Sequence, residues 1–327
     1  LRIVAPVSSA AEVVPLAEAG ADEIYCGLVP RSWVERFGSA GANRRIFGNL
    51  SGEDELAEVV RRARDHGCRV SLVMNAPHYS GPQAGALLDL AECFQALGGE
   101  ALIVGDIGIL ALLAGHGLTL RLHVSSLLSC RNKEAAALYR ELGAHRVVLP
   151  RDLTVAEITA LVAATPGIEF EAFILNDGCV FEEGQCHTIH LPGRLGGPIC
   201  LDNHQIEHAR ADGAALSEAE AAMLAANDAK YREWLWYRFS CGFSVTEEGY
   251  PFGPCGLCAL PQLAAGGVAA VKIAGREGPL ARKLRSVEMV QRTRLSLGEG
   301  EAAAQGLARD LRHRPDLCDT GYMCYYR

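Results

Sequence analysis

Apolar positions along the chain recur in a two-part unit. A stretch with apolar residues three and four apart ends in glycine, and a short run rich in β-branched residues follows. The first part reads as an amphipathic helix with a glycine C-cap, the second as a buried strand. The glycines are Gly20 before EIYC, Gly67 before RVSLVM, Gly99 before ALIV, Gly117 before TLRLHV, Gly143 before RVVL, Gly167 before IEFEAFI and Gly267 before VAAVKI. With the opening RIVA they predict eight strands. Strands separated by helices pair in parallel through crossovers, and eight such units in about 275 residues match a closed (β/α)₈ barrel of the TIM type, an α/β fold. An open doubly wound sheet would carry a glycine-rich nucleotide fingerprint after its first strand. Here that strand runs into APVSSAAE.

The spacing breaks once. Strand seven is expected to end near Leu175 and strand eight to begin near Ala270, a gap too long for one βα connection. The chain therefore divides into strands one to seven (1–175), an insertion (176–269), and strand eight with a final helix and tail (270–327). In a barrel, a loop that follows a strand lies on the catalytic face. The insertion contains the tract LPGRLGGP, a helical run over 217–239 and a second glycine-rich tract. Trp234, Trp236, Tyr237 and Phe239 sit at spacings that pack a helix onto a body, with a ligand floor as the alternative.

Composition narrows the class. At 327 residues, 49% hydrophobic and 21% charged, the chain can bury a full core. It shows no leader pattern and no run of about 18 apolar residues, so a cytoplasmic location is expected. The net charge of -8 gives no general attraction for nucleic acid. Arg61, Arg62 and Arg64 read as the solvated face of a helix.

Twelve cysteines change the picture. Clustered cysteines in a reducing compartment read as metal ligands or redox centres. Six lie in the insertion (Cys179, Cys186, Cys200, Cys241, Cys255 and Cys258), and Cys318 and Cys324 lie in the tail CDTGYMC. Thiolates serve both zinc and iron-sulfur clusters. Only Cys255 and Cys258 have tight C-x-x-C spacing, which favours a cluster and leaves zinc as the alternative. Cys68 and Cys93 read as inert buried residues, while Cys26, closing strand two, is a weaker ligand candidate. The segment from His204 through Glu207 to His208 fits H-x-x-E-H, a zinc-peptidase pattern, on a short stretch that looks helical. It lacks an identifiable third ligand, and a surface coincidence is the expected outcome.

Polar residues after the predicted strands ring one mouth of the barrel: Asn75, Asp106, Ser125, Ser126, Arg151, Asp152, Asp177, Lys272 and Arg276. Arg151 and Arg276 suit a bidentate grip on carboxylate, so a small anionic ligand is expected. About half of the ring is expected to serve as caps and salt bridges.

These residues resemble the peptidase U32, or collagenase-like, family. The likeness runs through AGADEIYCG, the Asn75 turn, GGEALIVGDIGIL, LHVSS, LGAHRVVLPRDLTVAEI, CVFEEGQC and LPQLAAGGVAAVKIAGR, over residues 3–276. The resemblance implies an iron-sulfur protein, 4Fe-4S in type, related to oxygen-independent hydroxylases of quinone precursors and RNA bases that draw oxygen from prephenate. It implies Cys179, Cys186, Cys200 and Cys255 as ligands, with Cys258, Cys241 and Cys26 as alternates. The chain departs from the family at the mouth, in Ser125-Ser126-Leu127, Arg151-Asp152, Asn176-Asp177-Gly178 and Lys272-Ile273-Ala274-Gly275-Arg276. The cluster therefore carries over more safely than the substrate. The expected activity is a redox enzyme of hydroxylase type acting on a small substrate. A U32-type hydrolase and a non-catalytic cluster subunit working with a paralogous partner are the alternatives.

Overall fold

The computed structural model describes residues 1–38, 42–45, 47–178, 183–185, 207–240, 253–321 and 323–326, with backbone alone at 185 and 234–240. Eight strands, β1 (Arg2–Pro6), β2 (Glu23–Gly27), β3 (Arg69–Met74), β4 (Ala101–Val104), β5 (Arg121–Val124), β6 (Ala144–Val148), β7 (Glu169–Leu175) and β8 (Ala270–Ile273), pair in sequence order. Every pair is parallel, and β8 closes on β1. This is the expected (β/α)₈ barrel.

Its helices are α1 (Val13–Glu18), α2 (Arg31–Phe37), α3 (Glu53–Asp65), α4 (Gly81–Ala96), α5 (Ile107–Gly115), α6 (Lys133–Glu141), α7 (Val155–Ala164), α8 (Glu218–Ser240), α9 (Leu260–Ala265), α10 (Leu280–Leu295), α11 (Glu301–Arg312) and α12 (Pro315–Thr320). Local chemistry sets many of the boundaries. Asn132 and Asp106 cap α6 and α5, and Thr154 with Glu157 forms a capping box on α7. Before β4 the left-handed residue is Gly98, not Gly99; Gly99 instead lies against the Phe94 ring. Arg61 and Arg62 pair along α3 with Glu58, the expected solvated face.

Alternation along each strand builds two layers. Outward residues such as Ile24, Leu72, Leu102, Val147 and Phe170 form the main core under the helices. Inward residues fill the barrel, and β2, β6, β7 and β8 each place a charged one among them, Glu23, Arg146, Glu171 and Lys272. Arg146 binds Glu23 at 2.7 Å and Glu171 at 2.9 Å, and Lys272 binds Glu171 at 2.8 Å.

Four features depart from the expectation. The β2–β3 connection is a second elaboration: it carries both α2 and α3 and is tied to the barrel by a bridge between Leu28 and Leu50. Three helices, not one, follow β8: α10 packs on β1 and β8, and α11 packs on α10. Residues 207–210 are not helical. Cys93 is exposed, since it lies on the outer face of α4. The helix over 217–239 does form, as α8. The side chains of Trp234, Trp236, Tyr237 and Phe239 lie outside the described residues, as do Cys179, Cys186, Cys200, Cys241 and His204.

Candidate functional site

At the C-terminal ends of the strands the inward residues leave a pocket of about 100 Å³, lined among others by Tyr25, Val73, Ile103, Val148 and Phe173. Five cationic side chains reach it: Arg44, Arg45, Arg151, Lys272 and Arg276. Asp177 and Glu183 are its acids. Its floor is apolar and its rim is positive, a combination that suits an anion carried on an apolar body.

Each cation is held in place. Arg276 is buried, and its guanidinium bonds to Asn43 at 2.9 Å and Asn49 at 3.4 Å. Gly27 makes that possible, because a Cβ at Gly27 would occupy the space of the Arg276 guanidinium. Arg151 lies over the Phe173 ring at 3.6 Å and pairs with Glu183, while its Nε is buried with no hydrogen-bond partner among the described residues. Arg45 binds Asp177 at 2.5 Å. Asn176 and Asp177 both have positive φ, 67° and 48°, a conformation that Asn and Asp tolerate better than most residues. This kink at the end of β7 directs Asp177 toward the mouth.

Lys272 ends on Glu171 and over the Tyr25 ring at 3.9 Å. Burial pushes its pKa down, and Glu171 opposes the shift. Burial alone would raise the Glu171 carboxyl, but Lys272 and Arg146 outweigh it and lower it to about 2. Glu171 is therefore ionised at neutral pH. His123, buried beneath the site, falls well below its ordinary value because of burial and nearby Arg146.

Of the residues expected at the mouth, Asn75, Ser125, Ser126, Arg151, Asp177, Lys272 and Arg276 line the pocket together. Asp106 and Asp152 do not. Asp106 accepts from Gly108 N and Ile109 N as the α5 cap, and Asp152 is exposed and paired with Arg131 at 2.9 Å. Cys26 is not at the mouth either. It alternates with Tyr25, so it faces the helix layer, where burial pushes its thiol up to about 12. Arg44 and Arg45 were missed, since they come from the β2–β3 elaboration and no strand-end pattern marks them. Glu207 is exposed and His208 pairs with Asp228 at 2.9 Å, and neither lines the pocket.

Of the expected cluster ligands, only Cys255 lies within the described residues. It bridges to Leu175 at the end of β7, and Gly256 N donates to Ile174 O at 2.7 Å. Leu257 N–H donates to the Cys255 sulfur. Hydrogen bonds of this kind orient thiolate ligands, so Cys255 fits a metal-bound role beside the mouth. Among the described residues no three His, Cys, Asp or Glu side chains already surround a common point. No described helix is long and apolar enough to cross a membrane.

The chain resembles several known proteins. It is 25% identical over 167 residues to tRNA hydroxylation protein P of Escherichia coli K12, covering 51% of this chain and 34% of that one. It is 30% identical over 191 residues to the 23S rRNA 5-hydroxycytidine C2501 synthase of the same organism, covering 58% and 26%. A protein named collagenase from Porphyromonas gingivalis is 26% identical over 200 residues, covering 57% and 44%. The chain thus spans between about a quarter and under half of the length of these relatives. The solved U32 peptidase Mk0906 aligns with a TM-score of 0.42 at 18% identity, over 53% of this chain and 68% of that one. The family profile of Peptidase family U32 matches residues 8–327, nearly the whole barrel and its tail, and the chain belongs to that family.

Proposed function

We propose that the chain is the barrel module of an oxygen-independent hydroxylase that binds a carboxylate-bearing oxygen donor, such as prephenate, at the cationic mouth. The observation that carries this reading is the convergence of Arg44, Arg45, Arg151, Lys272 and Arg276 on one small pocket with an apolar floor. Arg151 and Arg276 come from the ends of β6 and β8 on either side of β7, so two guanidinium groups can grip one carboxylate in bidentate fashion. Phe173, Val148, Ile103 and Val73 receive the apolar body of the ligand and keep water from it. Lys272, fixed by Glu171, places its amine in the same pocket.

Cys179, Cys186 and Cys200 would hold a 4Fe-4S cluster with a fourth thiolate from Cys255, or from Cys241 or Cys258 in its place. When bound, the cluster would supply one-electron chemistry. The names of two relatives support a hydroxylase, while the family's name and the relative named collagenase keep a peptidase as the alternative. The hydroxyl acceptor on this reading is a small aromatic molecule of the quinone-precursor type, favoured by the chain's net charge of -8. The relatives' names make an RNA base the second acceptor to assay.

The test is anaerobic purification with iron and sulfide analysis, an absorption spectrum, and titration with prephenate. Stoichiometric iron and sulfide with saturable prephenate binding are expected. Protein free of iron and sulfide that also fails to bind carboxylates would sink the reading.

A further inference from the structure

The tail motif C-x₅-C and the C-x-x-C of the insertion are far apart in sequence, yet the fold brings them together. Cys255 N donates to Met323 O at 2.8 Å and Tyr325 N donates to Cys255 O at 2.9 Å, which makes Cys255 and Cys324 partners in a parallel bridge. Bridge partners sit about 4.8 Å apart and project their side chains to the same face. Cys258 follows in the 3₁₀ turn Leu257–Ala259, where its carbonyl accepts from Gln305 of α11 at 3.3 Å. Cys318 lies in α12, and α11 packs against both that helix and the 3₁₀ turn. The four thiols feel one another electrostatically. Cys255, Cys318 and Cys324 all act on Cys258, and Cys255 and Cys324 act on Cys318.

We infer that Cys255, Cys258, Cys318 and Cys324 form a four-thiolate zinc site, separate from the iron-sulfur centre, that pins the tail to the end of β7. Four observations support it. Cys255 and Cys258 have the tight spacing of one half of a closed structural zinc site, and the fold, not the spacing, supplies a second half by bringing Cys318 and Cys324 alongside. The Leu257 N–H favours the thiolate form of Cys255 across the turn, an interaction that a metal-bound sulfur would keep. None of the four is sealed in the core: Cys258 is exposed and the others are partly exposed. Arg309 and Arg312 stand close enough to offset the negative charge that four thiolates would leave around a divalent ion. The sulfurs do not yet surround one point. Zinc-sulfur bonds of about 2.3 Å place tetrahedral sulfurs roughly 3.8 Å apart, a separation that side-chain rotation can reach from bridged backbones.

The pin bears on the pocket. Beyond Cys324, Tyr325 donates to Asn176 O and stacks on Phe173 with centroids 6.4 Å apart, and Tyr326 donates to Phe173 O at 2.5 Å. Zinc at the quartet would hold these tyrosines against the pocket floor. The proposal leaves the cluster reading standing, with Cys241 in the fourth place.

The test uses the full chain purified anaerobically, with zinc, iron and sulfide measured on the same sample. About one zinc per chain is expected in the parent, lost in Cys318→Ser/Cys324→Ser and kept in Cys179→Ser/Cys186→Ser. A parent without zinc, or a tail variant that keeps it, overturns the site. So does a tail variant that loses iron and sulfide in place of zinc, which would assign these thiols to the cluster. To keep the test independent of how the tail variant folds, the parent is also loaded with Co²⁺ alone. Thiolate-to-cobalt charge-transfer bands that vanish on zinc addition support the site, and their absence overturns it. Iron and sulfide in the parent report on the hydroxylase reading independently of zinc.

Discussion

At the scale of single residues, the site depends on guanidinium groups whose positions other residues fix. Arg276 is seated by Asn43, Asn49 and the missing side chain at Gly27, and Arg151 by Glu183 and Phe173. Lysine carries the same charge but cannot make two parallel bonds to a carboxylate. Arg151→Lys and Arg276→Lys are each expected to weaken prephenate binding about tenfold to a hundredfold, the equivalent of roughly 1.5 to 3 kcal/mol for one charge-assisted bond. Iron content should not change. Equal affinities in parent and both variants, measured by calorimetry, would show that the arginines serve the barrel and not a ligand. Asp106 gives the contrast. It is a helix cap off the pocket, so Asp106→Ala should cost about 1 kcal/mol in urea unfolding and leave carboxylate affinity untouched.

At the scale of elements, the strand ends and the two elaborations divide the work. The β2–β3 elaboration brings Arg44 and Arg45 over the mouth, and the kink after β7 turns Asp177 to meet Arg45. The 176–269 segment brings the cysteines. Metal binding free energy is also folding free energy for the loops that carry the ligands. Cys179→Ala and Cys186→Ala are therefore expected to abolish iron and sulfide and to speed proteolysis within 176–269. Cys68→Ala should do neither, since its thiol is buried against Ala21 O at 3.0 Å. Full iron in either of the first two variants would remove that cysteine from the ligand set.

At the scale of the whole molecule, the barrel interior carries an ionic layer where such barrels usually carry aliphatic ones. Arg146 joins β6 to β2 and β7, and Lys272 joins β8 to β7. Glu171, about 2 in the fold against an ordinary 4.5, holds its proton less tightly folded than unfolded. Its contribution is complete above about pH 4.5 and disappears as the pH falls through 2, a loss of roughly 3 kcal/mol. The urea midpoint should thus fall steeply below pH 4.5, and Glu171→Gln should be destabilised at pH 7 and show a shallower acid limb. Parallel acid limbs in the two proteins would mean that this carboxylate does not set the acid stability.

The barrel was legible in the sequence because glycine C-caps and β-branched strands are local signals, each written within a few residues. Arg151, Lys272 and Arg276 were legible for the same reason: in a parallel barrel the residues at strand ends share one mouth. Which of the polar residues there face the pocket was not legible. Asp152 neighbours Arg151 but turns outward to Arg131, and Cys26 neighbours Tyr25 but faces the helices. On a strand a shift of one position reverses a side chain, as at Cys26, and past the strand end the turn decides, as at Asp152. Arg44 and Arg45 entered through a long connection whose path no periodicity encodes. The sequence by itself determined the eight-strand order, the wealth of cysteine and the positive strand ends, because these follow from local propensity and composition. Tertiary structure alone decided that Cys324 lies beside Cys255 and that five cations share one pocket, because contacts between segments far apart in the chain depend on barrel closure.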